Sequence, residues 1–139
     1  MRVLGVDFGF ARIGLAVGES EHGITSMRPP IAASGKLADD AAKIAALAKR
    51  EEAEVVVVGL PYEEDGTAGR MVRVCLQLAD RLREQGCTVA TVDESGSTHA
   101  AEANLRQQSE LKASQRRKMR DAEAARIILE RFFDEQTGL

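Results

Sequence analysis

Apolar residues at the start of the chain alternate with small or polar ones. RVLGVD (2–7) is a short β-prone run, and RIGLAVG (12–18) sets Ile13, Leu15 and Val17 against Gly14 and Ala16. That alternation is the period of a strand. Four residues separate the two runs, which predicts a hairpin. GITSMR (23–28) predicts a third strand, closed by Pro29 and Pro30, and the three make an antiparallel meander.

The period then changes. Leu37, Ala41, Ile44, Ala45 and Ala48 recur at helical spacing, with one apolar face. EVVVVGL (54–60) is a continuous β-branched run, as expected of a strand covered on both faces of a parallel sheet. PYEEDGTAG (61–69) reads as a loop. Met71, Val74, Cys75, Leu78 and Leu82 trace an amphipathic helix that Gly86 ends, since glycine favours the residue just past a helix. CTVATVD (87–93) is a further strand. Ser97 or Thr98 predicts the N-cap of a helix reaching about Leu105, because their hydroxyls accept from free helix N–H groups. Residues 106–118 are polar and then basic, and a last helix is predicted from about Ala113 to Asp134.

The order of elements predicts an α/β fold with a mixed five-stranded sheet. The first three strands are antiparallel, and two strand–helix–strand crossovers, right-handed as such units are, make the last two parallel to the first. Helices cover both faces. With no repeat or linker in 139 residues, the expectation is a single domain over 1–139. Ligands of such sheets gather at the carboxyl ends of the strands.

Composition narrows the class. The chain is 44% hydrophobic and 29% charged, as in a globular protein rather than a disordered one. It shows no signal peptide and no long apolar run, so a cytoplasmic protein that makes no membrane contact is expected. Cys75 and Cys87 have no metal spacing and read as buried thiols; His22 and His99 have no ligand partners nearby, which argues against zinc. The net charge of −3 excludes an overall basic coat but not a local basic patch.

The strand ends carry the chemistry. Asp7 ends the first strand, and Asp93 and Glu94 end the last. Parallel strands would bring them to one sheet edge. Adjacent residues of an extended chain point to opposite faces, so at most one of Asp93 and Glu94 faces Asp7. Asp121 lies in the last helix in register with Ala125, Ile128 and Phe132, on or beside the face that packs on the sheet. Taken singly, Asp7 suits a turn, Asp93 or Glu94 a loop, and Asp121 a basic neighbour. Taken together, carboxylates without histidine or cysteine favour Mg²⁺ or Mn²⁺. Two such ions about 4 Å apart can activate water for phosphodiester hydrolysis.

VDFGFARIG, VVVVGLPYEEDGTAG, VDESGST and RDAEAARIIL, in this order and spacing, resemble the YqgF/RuvX family across essentially the whole chain. The resemblance implies a ribonuclease-H-like fold and a nuclease of pre-16S rRNA, or a Holliday junction resolvase. It implies catalytic and metal-binding acids at Asp7, Glu94 and Asp121, with Asp93 a further candidate. Gly9, Arg12 and Gly14 match its first motif, and Gly59, Leu60, Pro61, Asp65 and Gly66 match its G-L-P…D-G loop. One position departs: Ser95 stands where the family has an arginine after D-E. An arginine there would pair a carboxylate or grip a phosphate, so its replacement bears on substrate binding and on the orientation of Glu94.

KASQRRKMR (112–120) places Lys112, Arg116, Arg117, Lys118 and Arg120 directly before Asp121. Cations are unfavourable at a helix N-terminus, which suggests another role, and phosphate contacts there would give position and affinity. Arg12 and Arg70 extend that surface. The expected partner is structured RNA or branched DNA, and the expected assembly a monomer or homodimer. Two other function classes remain. The Asp7–Gly9 turn also begins ATP-binding folds, which need a second lobe; and Ser95 suits a nucleic-acid-binding module with weakened catalysis.

Overall fold

The computed structural model describes residues 1–95 and 113–137. Five strands, β1 (Arg2–Phe8), β2 (Arg12–Glu19), β3 (Ile24–Ala32), β4 (Val55–Leu60) and β5 (Val89–Asp93), form one sheet in the order β3-β2-β1-β4-β5. β1 pairs antiparallel with β2 and parallel with β4, β2 pairs antiparallel with β3, and β4 pairs parallel with β5. This is the mixed sheet that the sequence implies. The helices are α1 (Leu37–Arg50), α2 (Arg70–Glu84) and α3 (Ala113–Thr137).

Strand alternation sorts the core into two layers. Leu4, Val6 and Phe8 of β1, with Ile13, Leu15 and Val17 of β2 and Val56, Val58 and Leu60 of β4, are buried against α1 and α2. On the other face Val3, Ala16, Val57 and Val92 pack against Ala125, Ile128, Leu129, Phe132 and Phe133 of α3. β4 is thus covered on both sides, which is why its run of valines is unbroken.

Several boundaries differ from the sequence expectation, three of them on β3, β4 and β5. β3 does not stop at Pro29 and Pro30 but runs through them to Ala32. It is an edge strand, where a missing N–H leaves no broken ladder. Ile13 pairs with Ile31 and Leu15 with Arg28, so both prolines lie opposite Gly14 in a bulge. β5 begins at Val89 rather than Cys87, because the Cys87 N–H still donates to the Leu82 carbonyl at 3.1 Å as the chain leaves α2. β4 begins at Val55. Gly86, at φ 92°, ends α2 as its sequence position predicts. The helix predicted from Ser97 or Thr98, together with His99 and Lys112, lies outside the described residues. Among the described residues no helix is long and apolar enough to cross a membrane.

Candidate functional site

Asp7 follows Val3 and Gly5 on the face of β1 that looks toward α3. It sits one residue before the end of the central strand. Two residues on, the chain turns: the Gly9 N–H donates to the Arg12 carbonyl at 3.0 Å. A Cβ on Gly9 would lie 2.9 Å from that carbonyl oxygen, so the tight turn needs glycine.

Glu94 continues the β5 ladder by one residue, its N–H donating to the Leu60 carbonyl at 3.0 Å. Its side chain is only 5% exposed and hydrogen-bonds the Asp7 carboxyl. Gly59 makes this burial possible. A Cβ there would lie 2.8 Å from Glu94 Cδ and 2.6 Å from Ile128 Cδ1. Gly59 is therefore the recess into which the Glu94 carboxylate folds, rather than only a loop glycine.

Asp93 points elsewhere. Its Oδ1 accepts from the Ser95 N–H at 2.8 Å and from the Ser95 hydroxyl at 2.6 Å. These bonds, the hydroxyl first, hold its carboxyl below the usual range. The Ser95 hydroxyl also lies 3.1 Å from the Tyr62 carbonyl. Arg131 of α3 donates to the carbonyls of Asp93 and Ser95 at 3.2 and 2.8 Å. Ser95, at the departing position, thus closes a turn that Arg131 ties to α3.

Asp121 reaches the same edge from α3. Its backbone lies directly over β2: a Cβ on Gly14 would stand 2.1 Å from the Asp121 carbonyl oxygen. Its Oδ2 accepts from Arg12 Nε at 2.6 Å. Its charge reaches Asp7. The basic-neighbour reading of Asp121 is therefore realised, by a residue far away in sequence.

Electrostatics follow from this crowding. Burial, the largest cause, and the Asp121 charge push the Asp7 carboxyl above its ordinary value of 3.8, against the opposing Glu94 hydrogen bond and Arg120 charge. Two carboxyl groups in hydrogen-bond contact cannot both be ionised cheaply. Beneath the sheet, burial, with Glu94 and Asp7 adding, pushes the Cys75 thiol up to about 12. Cys75 and Cys87 are free thiols; at that value Cys75 is a packing residue, not a nucleophile.

Among the described residues no three histidine, cysteine, aspartate or glutamate side chains are already grouped around a cation position. Asp7 and Glu94 are together, while the Asp121 carboxylate is held by Arg12. The donor set is all oxygen, and its mutual repulsion is what a hard divalent cation relieves. In that chemical sense the three acids fit Mg²⁺ or Mn²⁺.

Residues 1–135 match the model of a family described as "RuvX: Holliday junction resolvase". The chain belongs to the RuvX family. A relative from Anaeromyxobacter dehalogenans is 41% identical over 135 residues, covering 96% of this chain and 97% of its own. One from Chromohalobacter salexigens is 38% identical over 138 residues, covering 99% and 92%. Both carry the name "Putative pre-16S rRNA nuclease". Among solved structures, Thermus thermophilus RuvC in complex with a Holliday junction substrate superposes with TM-score 0.62 at 20% identity, covering 99% of this chain and 96% of that one. The large terminase nuclease of a thermophilic phage gives 0.53 at 14% identity, covering 90% and 80%. These likenesses show the ribonuclease-H-like fold.

In this RuvX chain Arg116, Arg117 and Lys118 are exposed on the first turns of α3, and Arg120 is half-buried with its charge reaching Asp7. Pro61, Asp65 and Gly66 build the loop after β4. Asp65 Oδ1 accepts from the Thr67 N–H at 3.0 Å and its hydroxyl at 2.7 Å, and Gly66 takes φ 84°. These are turn-forming roles. Sequence reading missed Arg131 and the pairing of Arg12 with Asp121, since no local spacing signals either. It also missed the glycine track under α3. Gly5 and Gly18 are also crowded there, though less than Gly14, with Leu129 Cγ and Phe133 Cζ at 2.7 and 2.8 Å from their would-be Cβ atoms. Small residues on one face of two neighbouring strands, Gly5 on β1 and Gly14, Ala16 and Gly18 on β2, were the available signal.

Proposed function

We propose that this RuvX chain is a metal-dependent nuclease that hydrolyses phosphodiester bonds, with processing of the 5′ end of pre-16S rRNA as its role. The observation that carries the reading is the hydrogen-bonded pair of half-buried Asp7 and buried Glu94 at the carboxyl ends of parallel strands, with Asp121 brought over it by α3. The names of the relatives support the choice of substrate.

Asp7, Glu94 and Asp121 would hold Mg²⁺ or Mn²⁺. A bound divalent ion would supply Lewis acidity toward a phosphoryl oxygen and a water made acidic enough to attack at neutral pH. The residues themselves do the rest. Asp7 and Glu94 must give up the proton between them before they can act as anionic ligands. Arg12 and Arg120 bring positive charge to the place where a scissile phosphate would lie, and Arg116, Arg117 and Lys118 offer backbone contacts leading to it. Asp93, turned into the Ser95 bend, takes no part.

The family description favours a second substrate, branched DNA. One experiment separates the readings: wild type and Asp7→Asn are incubated with precursor 16S rRNA, single-stranded RNA and a four-way DNA junction, each with Mg²⁺ or Mn²⁺. Cleavage of the precursor by wild type alone is expected. Cleavage confined to the junction selects the resolvase. Metal-dependent cleavage that survives in Asp7→Asn sinks the mechanism. Binding to RNA without any cleavage selects a non-catalytic module, the outcome that Ser95 keeps open.

A further inference from the structure

A second feature lies on the opposite side of the sheet from the acids, at the same strand edge. A cavity of about 150 Å³ opens between the end of β1 and the helices α1 and α2, lined by Phe8, Phe10, Leu37, Asp40 and Val74 among others. Its lining is apolar except for Asp40. That carboxylate is 1% exposed. Its Oδ1 accepts from the Ser34 N–H at 2.9 Å, but its Oδ2 is buried with no hydrogen-bond partner. Buried polar atoms are nearly always paired, and an orphaned carboxylate oxygen in an apolar lining is costly enough to call for a donor.

The rim of the cavity is equally unusual. Phe10 is 59% exposed, although it stands in a two-strand turn where any polar residue would serve. Arg70, the first residue of α2, lies over its ring, with the guanidinium carbon 5.6 Å from the ring centroid. An exposed aromatic ring with an arginine over it is a stacking platform: it attracts flat π-systems, and the cation adds affinity for a phosphodiester chain. Phe10 also joins the two sites in sequence, three residues beyond Asp7.

We propose that this cavity is a base pocket: it takes one unstacked nucleobase bearing an exocyclic amino group, with the base against Phe10 and its amino group donating to Asp40 Oδ2. The inference rests on the nuclease reading in taking the ligand to be a nucleic acid. The requirement for a donor is specific. Adenine, cytosine and guanine present an exocyclic amino group, whereas uracil carries carbonyl oxygens at its exocyclic positions; its one donor on that edge, N3–H, is flanked by both oxygens, which would be brought against the carboxylate. The pocket would thus hold a strand by an unpaired nucleotide across the strand edge from the acids and give a base preference at that position.

The test uses the full chain in EDTA, so that no strand is cut. Fluorescein-labelled nine-nucleotide oligouridylates, either uniform or with one central adenosine or cytidine, are titrated against wild type, Phe10→Ala and Asp40→Asn by anisotropy. Wild type is expected to bind the adenosine and cytidine strands several-fold more tightly than uniform oligouridylate. Phe10→Ala, an exposed substitution, should weaken the tighter two by roughly tenfold, the size of one base stack removed. Asp40→Asn keeps an acceptor for Ser34 but presents an amide N–H₂, so the preference should move toward uridine. Equal affinity of wild type for the three strands, unchanged affinity in Phe10→Ala, or no measurable binding at all each overturns the pocket. A base preference in a protein that cleaves nothing upholds the pocket and removes the nuclease; cleavage without base preference does the reverse.

Discussion

Arg12 Nε stands 2.6 Å from Asp121 Oδ2, joining the turn after β1 to a helix 109 residues further on. The Arg12 side chain is 39% exposed and that of Asp121 15%, so the pair lies at the rim of the site. In the metal-free protein Arg12 supplies the positive charge that the acids lack. Arg12→Ala should therefore lower stability only slightly, by about 0.5–1 kcal/mol in urea unfolding without metal. The same change should tighten Mn²⁺ binding by calorimetry, because Asp121 is released, and weaken nucleic-acid binding. Unaltered Mn²⁺ affinity would mean that Asp121 is not a ligand.

Asp7 makes a pH prediction whose sign is fixed by its environment. Its carboxyl is raised in the folded protein, chiefly by burial, so the folded state holds the proton to higher pH than the unfolded chain. The ionised form then costs stability. The cost is absent below the ordinary value of 3.8 and fully present above the raised one. Asp7→Asn should raise the metal-free melting temperature at pH 8, with the gain fading as the pH falls toward 4. Added Mn²⁺ should stabilise wild type more than the variant, and cleavage by the variant should fall by about 100-fold or more. Melting curves across pH, with and without Mn²⁺, check the sign.

Gly14 and Gly59 separate backbone from side-chain crowding. At Gly14 a methyl group meets the Asp121 backbone at 2.1 Å, and a helix backbone cannot yield without moving the whole of α3. Gly14→Ala should cost about 2 kcal/mol or more and abolish cleavage. At Gly59 the nearest atoms are the Ile128 Cδ1 and the Glu94 carboxyl, both side-chain ends. Gly59→Ala should cost less in stability, yet still impair cleavage by displacing Glu94. Denaturation and cleavage measured on both variants give that ordering or refute it.

Arg116, Arg117 and Lys118 are exposed, and the first turn of α3 has no acidic residue. Replacing all three with alanine should leave stability within about 0.5 kcal/mol of wild type. Nucleic-acid affinity should fall, and the slope of log affinity against log salt should drop by about 0.7–0.9 for each phosphate that is no longer neutralised. A salt slope equal to that of wild type would remove these residues from the interface.

Much of this was legible in the chain itself, for a physical reason. Alternation of Ile13, Leu15 and Val17, the valine run of β4 and the helical register of Asp121 with Ala125, Ile128 and Phe132 are local periodicities, and they determined the element order, the mixed sheet and the presence of acids at two strand ends. Alternation also required that Asp93 and Glu94 part company. Which of them turned inward was decided only when α3 covered one face and Gly59 left a recess on it. Pro29 and Pro30 could continue β3 only because that strand lies at the sheet edge, a position that no local pattern encodes. The Arg12–Asp121 pair, the unpartnered oxygen of Asp40 and the exposure of Phe10 likewise depend on which distant segments meet. Periodicity is a property of neighbours along the chain; charge pairing and burial are properties of neighbours in space.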